Sequence, residues 1–189
     1  MPMRIGTDMP SFEGATEWFN ATGAHAAAEA KGHTTLVHFW SVSCGLCKEN
    51  LPRVAEWRDR RASEGLRVIA VHMPRYEADT DAEAVRDAVA TYNITEPCAV
   101  DNQHALRDAF QNAQGFVPAY YLFDAEGKLR GFAARPPGFT TLRMITHLSL
   151  ILTFHSLLDY RSLISYDASS LPKVGWLCNI GARRRGRGQ

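Results

Sequence analysis

The sequence lacks an uninterrupted apolar run long enough to cross a membrane. A membrane-spanning helix needs about 20 predominantly apolar residues. The most apolar stretch, Leu142–Leu158, is shorter, and it is interrupted by Arg143, His147 and several hydroxyl side chains. We therefore predict no membrane span and expect this stretch to form a helix with one buried side. Residues 1–8 also lack the apolar region of a secretory signal, so the sequence as written predicts a cytoplasmic protein.

The sequence has no marked excess of either charge. It contains 21 basic and 20 acidic residues, and four of the basic residues lie in the last seven positions: Arg183, Arg184, Arg185 and Arg187. Without these four, 17 basic residues stand against 20 acidic ones, a net charge of about −3 for residues 1–182. Nucleic-acid-binding domains usually carry a basic face, so we predict no nucleic-acid partner. We expect the basic tail to be solvated and disordered.

Cysteine is scarce, with four residues at positions 44, 47, 98 and 178. They are too few and too unevenly spaced for a disulfide scaffold, but one close pair with two isolated residues is typical of a redox or metal motif. The chain has 189 residues, of which 46% are hydrophobic, enough to bury one sizeable core.

The hydrophobic pattern predicts an α/β fold with a central mixed sheet and helices on both of its faces. The predicted order is β-α-β-α-α-β-β-α. An Ala-rich stretch, residues 21–30, is a further candidate helix. The first predicted elements are a strand at Thr34–Trp40, a helix from the cysteines to about Gly65 and a strand at Leu66–Met73. Two helices follow, one opened by a capping box at Thr80–Glu83 and one that starts after Asp101 or Asn102 and ends near Gly115. The last elements are strands at Ala119–Phe123 and Lys128–Ala133 and a helix from about Thr140.

The cysteine pair Cys44-Gly45-Leu46-Cys47 lies directly after a predicted strand and begins a predicted helix. Unpaired N–H groups and the macrodipole at a helix N-terminus favour a thiolate, and the thiolate is the nucleophile. The spacing lets the second sulfur resolve a mixed disulfide. We expect Cys44, at an exposed helix tip, to attack, and Cys47, one turn further and more buried, to release the product.

Other interpretations of this pair remain open. Zinc would need two more ligands, and Cys98 and Cys178 are isolated. A thiol-based carrier of Cu(I), with one histidine completing the site, is the main alternative function. A redox-inactive binding module that uses the same surface is a third.

Two further residues are candidates for the site. His38 is a polar residue in an apolar strand, six positions before Cys44, and a buried histidine there could accept the proton of Cys47. A hydrogen-bonded core histidine without a catalytic role is the alternative. Pro118 follows Val117 at a strand entrance, where a cis bond would expose backbone for pairing with a substrate chain, and an ordinary trans bond is the alternative.

Together these motifs resemble the TlpA/DipZ-like group of thioredoxin-like proteins. The resemblance covers about residues 10–140 and lies in Pro10–Asn20, Leu36–Trp40, Cys44, Cys47, Leu51-Pro52, Val71–Pro74, Asp101-Asn102 and Val117–Leu122. It implies a thioredoxin fold, dithiol–disulfide exchange with protein substrates, an upstream redox partner and a cis bond at Pro118. The group more often has an aspartate or asparagine at the place of His38, and often a glutamate at the place of Asn50.

We therefore predict a thiol–disulfide oxidoreductase with Cys44, Cys47, Pro118 and His38 as its site residues. We expect a monomer without a cofactor or a bound metal. The predicted parts of the chain are an N-terminal extension that packs on the domain (residues 1–33), a thioredoxin-like domain (residues 34–158) and a C-terminal tail (residues 159–189).

Overall fold

The structure, a computed structural model, describes residues 3–134. The predicted helix from Thr140, the domain boundary at residue 158 and the basic tail lie outside the described residues. In chain order the elements are β1 (Glu17–Phe19), α1 (Gly23–Ala30), β2 (Thr34–Trp40), α2 (Gly45–Arg61), β3 (Leu66–His72), α3 (Ala82–Thr91), β4 (Cys98–Val100), α4 (Ala105–Ala109), β5 (Ala119–Phe123) and β6 (Leu129–Ala134), with short 3-10 turns at Ala62–Glu64 and Glu77–Thr80.

The six strands form one mixed sheet in the order β1-β4-β3-β2-β5-β6. The pairs β2–β3 and β3–β4 are parallel, whereas β1–β4, β2–β5 and β5–β6 are antiparallel. The central strands β2 and β3 are rich in β-branched and apolar residues and are buried along almost their whole length, as expected of strands covered on both faces.

The alternation of side chains along β2 divides the core between the two faces of the sheet. Val37 and Phe39 pack with buried residues of α1 and α4. Leu36 and Trp40 point to the opposite face, where they pack with residues of α2 and α3. Helices therefore cover both faces, which confirms the predicted α/β architecture. None of the helices within residues 3–134 has the length and apolarity that crossing a bilayer requires.

The structure differs from the predicted elements at the ends and edges. Strands β1 and β4 were not predicted, because three residues are too few to show an alternating pattern. The N-cap of α3 is Asp81 rather than Thr80, since the Asp81 side chain accepts the N–H of Glu83 at 3.0 Å. Helix α2 ends at Arg61, and the 3-10 turn that follows it stops at Gly65, the predicted stop, where a φ of 88° costs glycine little. Helix α4 ends at Ala109 rather than near Gly115.

Candidate active site

The two cysteines form a disulfide at the N-terminus of α2, with their Cα atoms 5.2 Å apart. Cys44 is the N-cap residue, and its Sγ accepts the N–H of Cys47 at 3.1 Å. The expectation of an exposed Cys44 is wrong for this oxidised form, because Cys44 and Cys47 are 3% and 2% exposed. The Cys44 side chain folds back over the first helical turn, and both cysteines pack in one hydrophobic cluster.

The residues on either side of Cys44 leave this end of α2 open to solvent. Ser43 and Gly45 are exposed. A Cβ atom added at Gly45 would meet no atom within 4 Å. The disulfide therefore lies just below an open surface that a partner can approach.

The peptide bond between Val117 and Pro118 is cis. Ala119, the next residue, pairs with Phe39 near the end of β2, which leads to Cys44. Val117 packs against the cluster that contains both cysteines. The residue that precedes Pro118 therefore lies against the cluster that contains the disulfide.

His38 lies in β2 and is buried with a charged partner. Its Nε2 is 2.9 Å from Oε1 of Glu96, and Oε2 of Glu96 accepts a 2.6 Å hydrogen bond from Nη1 of Arg58. Side-chain exposure is 2% for His38 and 3% for Glu96. Burial alone would raise the pKa of Glu96, but the hydrogen bond and charge of His38 and the hydrogen bond of Arg58 lower it to about 2.

The charge of Glu96 fixes which nitrogen of His38 carries the proton. An ionised carboxylate only accepts hydrogen bonds, so Nε2 of His38 must donate to it. When the ring is neutral, its one proton therefore lies on Nε2, and Nδ1 carries a lone pair. His38 is also on the same face of β2 as Trp40, which packs in the cluster with the cysteines.

A second carboxylate, that of Asp79, holds the segment that precedes Cys44. Its Oδ2 accepts hydrogen bonds from the hydroxyls of Ser41 at 2.8 Å and Ser43 at 2.7 Å. The same oxygen accepts the backbone N–H groups of Arg75 at 2.9 Å and Tyr76 at 3.3 Å. Burial acts to raise the pKa of Asp79, but these hydrogen bonds together lower it. Asp79 thus ties the loop after β3 to the residues before the disulfide.

His72, the last residue of β3, supports the same segment. Its Nε2 accepts the backbone N–H of Val42 at 3.3 Å, so the ring proton must be on Nδ1, which has no partner among the described residues. Burial lowers the pKa of His72 to about 4, against the opposing charge of Asp79. His72 is therefore a neutral acceptor at neutral pH.

Helix α2 is also anchored to β5. The side-chain amide of Asn50, one turn after Cys47, donates to the hydroxyl of Tyr120 at 3.1 Å. Burial raises the pKa of Tyr120 to about 12, although this hydrogen bond opposes the shift, so the hydroxyl stays protonated. Glu49, the neighbour of Asn50, is exposed.

The other cysteine within residues 3–134, Cys98, is buried in β4 and is a free thiol. Burial raises the pKa of Cys98 to about 12, so it is not ionised at neutral pH. Cys178 lies outside the described residues. No group of three or more His, Cys, Asp or Glu side chains within the described part of the chain is placed to hold a metal ion.

Sequence reasoning missed the carboxylates at this site. Glu96 was not predicted, although an acid two positions before the apolar residues Cys98–Val100 is a signal of a buried charge. Arg58 gave no signal, because it lies among other arginines of α2. Asp79 lies in a run of polar residues, and its role depends on a loop conformation that local sequence does not reveal.

The sequence model of the AhpC/TSA family matches residues 5–132. The chain is 45% identical over 141 residues to thiol-disulfide oxidoreductase YkuV of Bacillus subtilis, an alignment that covers 74% of this chain and 92% of YkuV. It is 33% identical over 123 residues to protein DipZ of Mycobacterium tuberculosis. That alignment covers 64% of this chain but only 17% of DipZ.

Solved structures are similar as well. The solution structure of a thioredoxin-like protein in the oxidized form superposes with a TM-score of 0.71 at 41% identity. The superposition covers 79% of this chain and 99% of that protein. The thioredoxin fold implied by the sequence motifs is therefore confirmed.

Proposed function

Because this chain belongs to the AhpC/TSA family and is a thiol–disulfide oxidoreductase, we propose that Cys44 is its nucleophile and Cys47 its resolving thiol. The disulfide at the start of α2 carries this proposal. The N–H of Cys47 points at the Cys44 sulfur and would stabilise a thiolate there. Among residues 3–134, no backbone N–H is seen to donate to the Cys47 sulfur in this way.

In the reductive direction, the Cys44 thiolate attacks one sulfur of a substrate disulfide. A mixed disulfide forms between Cys44 and the substrate, and the other substrate sulfur leaves as a thiolate that takes a proton. The open surface around Gly45 gives the substrate access to Cys44.

The second step needs a base, because Cys47 reacts only as a thiolate. We assign this role to Nδ1 of His38, whose lone pair is free when Nε2 donates to Glu96. Cys47 then attacks the Cys44 sulfur, which forms the protein disulfide and releases the second substrate thiolate. The proton held by His38 passes to that leaving group, so two electrons and two protons move to the substrate in total.

The substrate surface lies between the disulfide and the Val117–Pro118 bond. Pro118 has no N–H to donate, so the backbone of Val117, which precedes it, is the pairing group for an extended substrate segment. Protein disulfides or dithiols are the substrates this surface suits, and an upstream redox partner would restore the active form. The sulfur atoms carry both electrons, so the cycle requires no cofactor or metal, and the site is complete within one chain.

The test is reduction of insulin by dithiothreitol in the presence of the protein. Wild type accelerates the reaction, and Cys44→Ser abolishes the acceleration. Cys47→Ser accumulates the mixed disulfide and turns over only as fast as dithiothreitol resolves it. A Cys44→Ser protein that still turns over would contradict the assignment. Copper and zinc content of the wild-type protein, purified reduced, tests the alternative function of a metal carrier.

A further inference from the structure

A cavity of about 520 Å³ lies between the loop after β3 and the loops that flank α4. We call it the β3–α4 cavity, and its lining includes Arg75, Tyr76, Glu77, His104, Arg107 and Gly115. No step proposed above uses these residues. Its volume falls in the range of binding pockets for small groups.

Two segments of the chain connect the lining of the β3–α4 cavity to the residues around the disulfide. The backbone N–H groups of Arg75 and Tyr76 donate to Oδ2 of Asp79. The same oxygen accepts the hydroxyl of Ser43, the residue before Cys44. In the second segment, Gly115 lies two residues before Val117. Both segments therefore link the cavity lining to residues that border the disulfide.

Two arginines give the cavity free hydrogen-bond donors. The guanidinium of Arg75 stacks on the Tyr76 ring, 5.3 Å from its centroid. Among residues 3–134, no carboxylate forms an ion pair with Arg75. Arg107 bonds Asp108 through Nε at 2.8 Å, and its terminal nitrogens bond no other described residue. Two arginines and one carboxylate, Glu77, are among the lining residues. Asp108 balances the charge of Arg107, so Arg75 supplies the positive charge that no described carboxylate pairs with.

His104 holds the two loops in place. Its φ of 58° is in the left-handed region, which is unfavourable for a residue other than glycine. Its Nε2 lies 3.1 Å from the carbonyl oxygen of Pro74, to which it donates. Such a backbone persists where the surrounding contacts fix it, often at functional sites. This contact joins the loop that carries Arg75 to the helix that carries Arg107.

We propose that the β3–α4 cavity binds an acidic side chain of the protein substrate, located near the substrate cysteine that Cys44 attacks. Arg75 and Arg107 bind the carboxylate through charge-assisted hydrogen bonds. The Tyr76 ring, 61% exposed, offers an apolar surface to the same substrate segment. This inference rests on the proposed function, because it identifies the substrate class of the same site.

The experiment compares three synthetic peptides that differ only beside one cysteine. Each cysteine is joined in a mixed disulfide to 2-mercaptoethanol and is flanked by glutamates, glutamines or lysines. The reduced protein converts each peptide to a free thiol, releases 2-mercaptoethanol and becomes oxidised, so the electrons balance. For wild type we expect kcat/KM to be about threefold to tenfold higher with the glutamate peptide than with the glutamine peptide.

Variants then locate the effect. In the double variant Arg75→Gln with Arg107→Gln, we expect the glutamate and glutamine peptides to react at equal rates. Arg60→Gln is the matched control, since it removes one exposed positive charge at the far end of α2. It should keep the wild-type preference. Bis(2-hydroxyethyl) disulfide, which has no charge, should be reduced equally by all these proteins.

Each outcome bears on one claim. Equal kcat/KM values for the glutamate and glutamine peptides with wild type would overturn the cavity proposal, and this comparison needs no variant to fold. A preference that survives in the double variant, or that is lost in Arg60→Gln, would also overturn it. Failure of wild type to reduce the uncharged disulfide would instead contradict the proposed function.

Discussion

Nε2 of His38 lies 2.9 Å from Oε1 of Glu96, which is 58 positions further along the chain. Both side chains are almost completely buried, and Arg58 pairs with the other oxygen of Glu96. A buried charge without a partner is costly, so this arrangement keeps Glu96 ionised inside the protein. When the His38 ring is neutral, this contact places its proton on Nε2, and Nδ1 is the acceptor that we propose.

Replacement of His38 by alanine tests the role of this nitrogen. We expect the rate at which Cys47 resolves a mixed disulfide to fall roughly ten- to a hundredfold at neutral pH, the lower range for loss of a general base. The defect should shrink as the pH rises, because Cys47 then ionises without help. Stopped-flow measurement of resolution against pH gives the profile.

His25→Ala is the control for this measurement, since the His25 side chain is 59% exposed. It should follow the wild-type profile. An equal defect of His38→Ala at every pH would show that His38 only supports the fold.

His72 should make the free energy of unfolding depend on pH. Burial lowers its pKa in the folded protein to about 4, so the unfolded chain takes up the proton first as the pH falls from about 6.5. The contribution of His72 to the free energy of unfolding is therefore fully present above pH 6.5. It is lost between pH 6.5 and pH 4, which lowers the free energy of unfolding by on the order of 3 kcal/mol in total. Urea unfolding of wild type and His72→Gln measures this difference.

Between pH 4 and 6.5, we expect the free energy of unfolding of His72→Gln to change less with pH than that of wild type. His25→Gln should show the wild-type pH dependence. Glu96 affects the free energy of unfolding at lower pH, since its pKa of about 2 in the folded protein lies below the ordinary value of 4.5. The stability it contributes is present above pH 4.5 and is lost as the pH falls toward 2. Parallel curves for wild type and His72→Gln between pH 4 and 6.5 would contradict the assignment for His72.

The sequence predicted the elements and residues whose signals are local. Strands β2 and β5 were predicted with correct bounds because their β-branched and aromatic residues are contiguous. The pairing of Glu96 with His38 could not be predicted, because it depends on how strands distant in sequence align. The same holds for Asp79, whose carboxylate meets Ser43 only when the loop after β3 folds back over the start of α2.

The double variant Cys98→Ser with Cys178→Ser should keep full reductase activity. Cys98 is completely buried and its thiol is not ionised at neutral pH, so it is a poor participant in thiol exchange. Activity in the insulin assay and circular dichroism are measured together. A loss of more than a few-fold in a folded protein would place one of these cysteines in the redox cycle.

A chain that ends at Tyr160 should retain reductase activity, because the motifs of the site all lie before residue 140. The predicted domain boundary at residue 158 is tested by comparing the thermal midpoint and the turnover of this truncated chain with those of the full chain. Loss of activity without unfolding would place part of residues 161–189 at the substrate surface. Unfolding would place part of them in the core.

The most direct test of the account is to identify the cysteine that forms the mixed disulfide. Reduced Cys47→Ser and Cys44→Ser proteins are each mixed with a peptide disulfide, quenched with acid and mapped by mass spectrometry. The account predicts that the peptide is attached to Cys44 in Cys47→Ser and that Cys44→Ser traps little or none. Rapid trapping through Cys47 in Cys44→Ser, with no adduct on Cys44 in Cys47→Ser, would contradict it.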